Sequence, residues 1–328
     1  MLKLLQSANP FSFVFLLLYF AALNIHPVLF NAYNPIELHT PIFDWFFINV
    51  LNMDNLSPEQ LFYITITIIF IQGILLSILL RAFKITSKLN LVPAAIYYLL
   101  IYLFDEFIAF TPALILNLFI PLLIAMLFGV YNQKSADTTF FNSGFLNGCM
   151  SIIYFPAAIY SLFSIYALYA LRSSTVREFF VFISGFITIV FLVFTACFWY
   201  DSTDLLTTSV IIPFSKNTIP QSHFIVYIKC FLVLCFLLPA IAFVNQRSRG
   251  FLVQIRKYLY ALMILAVFGA VSGFLYSYIT IPAFVSAAIP FAIIIGYYLS
   301  YLKNRDTAEI LHLTCMGIVF TFQYINFA

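Results

Sequence analysis

Apolar residues run in long unbroken stretches separated by short polar joints. The stretches at 11–30, 60–82, 91–104, 112–131, 179–199, 223–244, 258–279, 283–302 and 310–327 predict helices that cross a hydrocarbon core, which takes about 20 helical residues. A further apolar stretch at 141–171 is too long for one crossing and short for two, and it carries Tyr154-Phe155-Pro156 at its middle. Proline disfavours helix at the residue before it, so this stretch predicts a short helical hairpin. The expected fold is an all-α integral membrane protein with about eleven transmembrane helices.

Composition sharpens that expectation. The 328 residues are 64% hydrophobic and 8% charged, against roughly a quarter charged in an ordinary soluble domain. Such a chain cannot cover a water-facing surface, and 1–328 reads as a single transmembrane domain with no soluble domain. Fifteen Lys and Arg against twelve Asp and Glu are too evenly balanced for a nucleic-acid partner. The first apolar run, Phe11 to Ala22, leads into Asn24 and His26 without a small-x-small cleavage site, so it reads as a retained span. Cys149, Cys197, Cys230, Cys235 and Cys315 lie in apolar runs with no CxxC pair and read as small buried residues.

Charge placement orients the chain, because short cytoplasmic loops collect Lys and Arg. With Lys3 inside, the loop from Asn31 to Glu59 lies outside with Glu37, Asp44, Asp54 and Glu59 and no basic residue. Arg81, Lys84 and Lys88 then fall inside, Asp105 and Glu106 outside, and Lys134 inside. Arg172 and Arg177 are also inside only if 141–171 crosses twice. Asp201 and Asp204 fall outside, while Arg247, Arg249, Arg256, Lys257, Lys303 and Arg305 fall inside. The N-terminus is expected in the cytoplasm.

The outer loop 31–59 is too apolar through Pro41-Ile42-Phe43-Asp44-Trp45-Phe46-Phe47-Ile48 to float free. Trp and Phe at headgroup depth predict an interfacial helix over Phe43 to Met53, packed over a cavity open to the outer leaflet. Ser57 and Pro58 predict the N-cap and first position of the next span.

Several blocks carry a resemblance. Ser87-Lys88-Leu89-Asn90, Phe104-Asp105-Glu106-Phe107 into Thr111-Pro112-Ala113-Leu114, and Phe141-Asn142-Ser143-Gly144-Phe145-Leu146-Asn147-Gly148 resemble successive parts of the bacterial multi-pass family called domain of unknown function 6427. Tyr154-Phe155-Pro156 and Arg172 through Val176-Arg177-Glu178-Phe179 continue the likeness over roughly 84–190, although relatives tend to carry an aromatic residue where Val176 stands. That resemblance implies the bacterial inner membrane and no established activity. In layout the chain is also similar to membrane glycosyltransferases of the GT-C fold, with a first span, an outer loop bearing an interfacial helix and an acid, and a Gly144-x-x-x-Gly148 hairpin followed by a basic turn. It departs from them in lacking paired acids after Asp44 and a soluble C-terminal domain. That likeness implies transfer of a sugar from a polyprenyl-phosphate donor on the outer face.

Such transfer needs a carboxylate to activate the acceptor or hold a metal and a cation to stabilise the departing phosphate. Asp44, Asp105 and Glu106 are the candidate acids; Lys216, His223 and Lys229 are the candidate lipid-phosphate ligands. Each has a plainer reading. Asp44 can simply face water from an interfacial helix, Asp105-Glu106 can be ordinary outer-loop acids, and Lys229 can snorkel to the interface. A divalent cation is compatible with the acids, but the sequence names none and shows no nucleotide-cofactor motif. Iron is not expected, because His26, His39 and His223 fall outside while His312 opens the last span from the inside, with no HxxxH or HxxH pair. Pro93, Pro121, Pro156, Pro239 and Pro290 are expected to interrupt spans, but a transporter reading lacks mid-span ionisable residues and an inverted repeat among these prolines. A non-catalytic scaffold or subunit of an envelope assembly, with the Gly144-x-x-x-Gly148 motif as a helix contact, remains the alternative to an enzyme.

Overall fold

The computed structural model describes residues 1–7, 9–30, 40–49, 55–86, 88–131, 133, 135–172, 175–211, 224–248, 250, 252–275 and 281–325. All regular structure among them is helical: α1 (Leu2–Leu5), α2 (Pro10–Leu29), α3 (Pro41–Asn49), α4 (Pro58–Ala82), α5 (Val92–Leu103), α6 (Pro112–Gly129), α7 (Asp137–Ile153), α8 (Ile159–Leu171), α9 (Val176–Trp199), α10 (Asp204–Ile211), α11 (Phe224–Ser248), α12 (Val253–Phe274), α13 (Ala288–Tyr301) and α14 (Arg305–Ile325). Three 3-10 turns, Asp105–Ile108, Phe155–Ala158 and Ile281–Ala287, join or extend them. Seven helical segments are long and apolar enough to cross a membrane: α2, α4, α6, α9, α11, α12, and the 3-10 turn at 281–287 continued by α13. The chain is therefore a multi-pass membrane protein. Val92–Leu103 and Phe155–Leu171 are apolar but shorter.

Local chemistry starts these helices where the sequence places them. Ser57 caps α4 in a capping box, its side chain accepting from the Gln60 N–H and Gln60 Oε1 accepting from the Ser57 N–H. Thr175 and Glu178 repeat the device at α9, where Glu178 also takes Arg172 at 2.8 Å. That buried ion pair is the physical content of the Arg172 to Glu178 block. At 141–171 the helix breaks at Tyr154, and Phe155-Pro156 forms the 3-10 turn between α7 and α8. Asn147 Nδ2 donates to Ser164 Oγ at 2.9 Å across the pair. Pro121 and Pro239, expected to interrupt spans, lie inside the unbroken α6 and α11; neighbouring helices and local adjustment satisfy the freed carbonyl in a membrane bundle. The helix in the first long loop is Pro41–Asn49, and the rest of the expected Phe43–Met53 span lies outside the described residues.

The centre of the bundle is α5, buried along nearly its whole length and surrounded by α13, α4, α14 and α2. Its tyrosines find partners inside. Tyr97 donates to Gln72 Oε1 at 2.5 Å, Gln72 Nε2 donates to the Leu114 carbonyl at 2.8 Å, and Asn117 Nδ2 reaches the Val285 carbonyl at 3.0 Å. With no water in hydrocarbon, such groups must be satisfied by the protein itself. This network ties α4, α5, α6 and the 281–287 turn together.

Helix ends sort into two groups. At one, Leu91 N–H donates to the Leu5 carbonyl at 2.9 Å, Asn90 to Ser300 at 2.6 Å, Arg247 to the Tyr301 carbonyl at 2.8 Å, Lys257 to the Leu171 carbonyl at 3.4 Å, and Arg177 pairs with Asp137 at 3.2 Å. We call this the basic end: of the described basic residues, Lys229 alone lies at the other. The opposite, acidic end joins Gln323 to the Leu23 carbonyl at 3.3 Å, the rings of His26 and Tyr324 at 4.6 Å, and Thr40 to the Ile153 carbonyl at 3.2 Å.

Candidate functional site

The site is set by the shortness of α5. Asn90 Oδ1 accepts the Val92 N–H at 3.1 Å and starts the helix at the basic end. Twelve residues carry it only about 18 Å at 1.5 Å per residue, against a hydrocarbon core of about 30 Å. Phe104 is extended, with φ −113° and ψ 106°, and Asp105–Ile108 turns back at once into α6, whose first turn Thr111 caps. Asp105 and Glu106 thus sit in the short turn between α5 and α6, at the end of the bundle opposite Asn90.

Lys229 meets them there from α11. It lies five residues past Phe224, about 8 Å along the helix. Instead of running out to the interface, its side chain turns inward, only 4% exposed, and Nζ stands 3.3 Å from Asp105 Oδ2. The ammonium also lies over the rings of Phe104, at 5.9 Å, and Phe322, at 5.6 Å. Two full charges are costly in this setting, and pairing is what makes them tolerable.

Polar groups collect around the pair. His26 is buried against Phe30 and Tyr324 and lies close enough to Asp105 to feel its charge. One turn-fraction earlier on α2, Asn24 accepts a short hydrogen bond from Tyr102 of α5. Glu106 Oε2 is buried and has no hydrogen-bond partner among the described residues. Above the turn lies α3, whose Phe43 and Phe47 pack on Phe110 at 6.0 and 5.3 Å between ring centroids, and whose Trp45 meets Tyr200 at 5.7 Å. Asp44 is half-buried in the first turn of this helix.

Of the residues singled out by sequence, Asp105 and Lys229 therefore come together with Glu106 beside them, and Asp44 is carried on α3, which packs on Phe110 just past the turn. Lys216 and His223 lie outside the described residues. Sequence reasoning weighed His26 only as an iron ligand and passed over Asn24 and Tyr102. The signal available was their polarity: Asn24, Gln72 and Asn117 are amides within apolar runs, and each proves to anchor a buried hydrogen bond.

Among the described residues no three His, Cys, Asp or Glu side chains converge as a metal site. At Asp105 the ammonium of Lys229 already stands where a cation would bind. What the arrangement offers is a carboxylate that positions a buried cation and a second carboxylate beside it. No protein-family model, curated protein or solved structure matches the chain.

Proposed function

We propose that the chain is a membrane glycosyltransferase of GT-C-like layout that takes its sugar from a polyprenyl-phosphate donor at the acidic end. The observation that carries this reading is the meeting of Asp105 and Lys229, 124 positions apart in sequence, as a buried ion pair at the acidic end. The acceptor oxygen attacks the anomeric carbon of the sugar and the bond from that carbon to the phosphate oxygen breaks, its electron pair leaving with the lipid phosphate. The acceptor proton passes to Asp44. Lys229, held by Asp105, meets the charge that grows on the departing phosphate, and Glu106 is the second acid of the site. Lys216 and His223 would add to the phosphate contacts.

The reading includes eleven crossings, an N-terminus in the cytoplasm of a bacterial inner membrane, and the acidic end outside. Its support is the charge bias, with the described Lys and Arg other than Lys229 all at one end. In a cysteine-free background, single cysteines at Ser202 and Ser248 are expected to be labelled from opposite sides of the membrane. Labelling of both from one side overturns that topology.

The activity itself is tested on protein purified with its native lipids. Mass spectrometry is expected to find a phosphosugar lipid bound, and Asp44→Ala is expected to fail to complement a deletion strain at normal expression. Full complementation by Asp44→Ala with no phosphosugar lipid bound replaces the enzyme with a scaffold for an envelope assembly.

A further inference from the structure

At the basic end, α1, the end of α4, the link into α5 and the start of α14 surround a cavity of about 640 Å3. Lys3, Arg81, Lys88 and Arg305 line it, with Gln6 and Asn9 between them, and among the described residues no carboxylate does. Basic residues crowd the cytoplasmic side of any membrane protein, so their presence alone says little. Their partners say more.

Elsewhere at this end several basic side chains are already engaged. Arg172 holds Glu178, Arg177 holds Asp137, Arg247 holds the Tyr301 carbonyl, and Lys257 lies over Tyr131. The four that line the cavity form no ion pair or hydrogen bond through their side chains among the described residues. The nearby Glu309, which feels the charge of Lys3, is held by the N-terminal ammonium at 2.7 Å. Lys84, Arg256 and Lys303 are also unengaged, but they line none of the described cavities.

The cavity opens beside helix faces suited to acyl chains. Asn9 of its lining leads directly into α2, which exposes Phe11, Val14 and Leu18, and Arg305 leads into α14, which exposes Ile310. Four cations from four elements around one concave space, with apolar faces descending from its rim, match a headgroup of two separate phosphates attached to acyl chains.

We propose that this cavity binds the headgroup of an anionic phospholipid carrying two phosphate diesters. Basic pockets between helices at a cytoplasmic face recognise such headgroups by charge, and Arg adds forked hydrogen bonding to phosphate oxygens. This site is remote from Asp105 and Lys229 and does not depend on any activity there.

The test is native mass spectrometry of the delipidated full chain in detergent, titrated separately with cardiolipin, phosphatidylcholine and inorganic pyrophosphate. Cardiolipin is expected to bind at least roughly tenfold more tightly than phosphatidylcholine, and raising salt is expected to weaken it. The triple variant R81Q/K88Q/R305Q is expected to lose at least roughly tenfold in cardiolipin affinity. The matched variant K84Q/R256Q/K303Q, which removes the same number of charges, is expected to change it less than about twofold. Equal losses in the two variants would reduce the effect to diffuse surface charge and overturn the site. Equal binding of phosphatidylcholine, insensitivity of the wild-type protein to salt, or pyrophosphate binding as tight as cardiolipin would overturn the lipid assignment. Five of the six substituted residues are exposed and Arg256 is half-buried, so folding is expected to survive, and the wild-type salt series decides independently of any variant.

Discussion

Asp105→Asn is expected to destabilise the folded protein by about 3–5 kcal/mol, because it leaves the ammonium of Lys229 buried without its counter-charge. The reverse change, Lys229→Met, is expected to cost less, about 1–2 kcal/mol: it leaves Asp105, whose side chain is 29% exposed against 4% for Lys229 and can draw on water. The double variant Asp105→Asn/Lys229→Met is expected to recover most of the loss, since no uncompensated charge remains. Thermal unfolding in one detergent, read as a double-mutant cycle, measures all three. Single variants as stable as the wild type would mean that Lys229 reaches the interface in solution, and the buried pair would have to be abandoned. The same cycle separates structure from chemistry, because the double variant is expected to be stable and yet to fail wherever the proposed transfer is assayed.

Gly185→Ala and Gly144→Ala are each expected to destabilise by about 3 kcal/mol, the upper range for overpacking. The reason is that α7 and α9 touch backbone to backbone. A β-carbon at Gly144 would overlap the Phe182 carbonyl oxygen, and one at Gly185 the Phe141 carbonyl oxygen. Neither obstacle can rotate away, so the helices must separate along the whole contact. At Gly148 the overlap is with a methyl of Ile189, with the Phe186 carbonyl oxygen at 3.1 Å; because that side chain can shift, Gly148→Ala is expected to cost about 1 kcal/mol. Gly317→Ala, with no atom within 4 Å of the added carbon, is the neutral control. Equal effects at Gly144, Gly148 and Gly317 would show that the close crossing does not form. The Gly144-x-x-x-Gly148 motif is thus consumed inside the chain as small-residue packing, which removes it as the contact surface of a scaffold.

The two capping boxes, at the starts of α4 and α9, show how far local reading carries. Ser57 and Pro58 identify the start of α4 because a capping residue and a proline at the first position act within one turn. Thr175 and Glu178 do the same for α9, yet their sequence block could be recognised only as a likeness, since the third member, Arg172, closes an ion pair from outside the helix. The helical break at Tyr154-Phe155-Pro156 follows from the constraint that proline places on its predecessor. Pro121 and Pro239 obey the same local rule and break nothing, because their helices are held by neighbours.

By itself the sequence determined that this is an all-helical membrane protein, where its long apolar helices lie, and which ends of them carry the positive charge. Those properties follow from hydropathy and charge bias, which sum residue by residue and need no knowledge of what packs on what. Only the tertiary structure decided that Lys229 turns inward to Asp105, and that Gln72, Tyr97 and Asn117 share one network. The amide side chains announced a need for partners but not their identity. Pairing residues far apart in sequence depends on how helices cross, and crossing is set by contacts such as Gly144 on Phe182 and Gly296 against Pro93, whose Cα lies 2.7 Å from where a β-carbon would stand. Lys229 illustrates the difference: its polar end had two physically sound destinations along one helix, and the position of Asp105 on another helix selected between them.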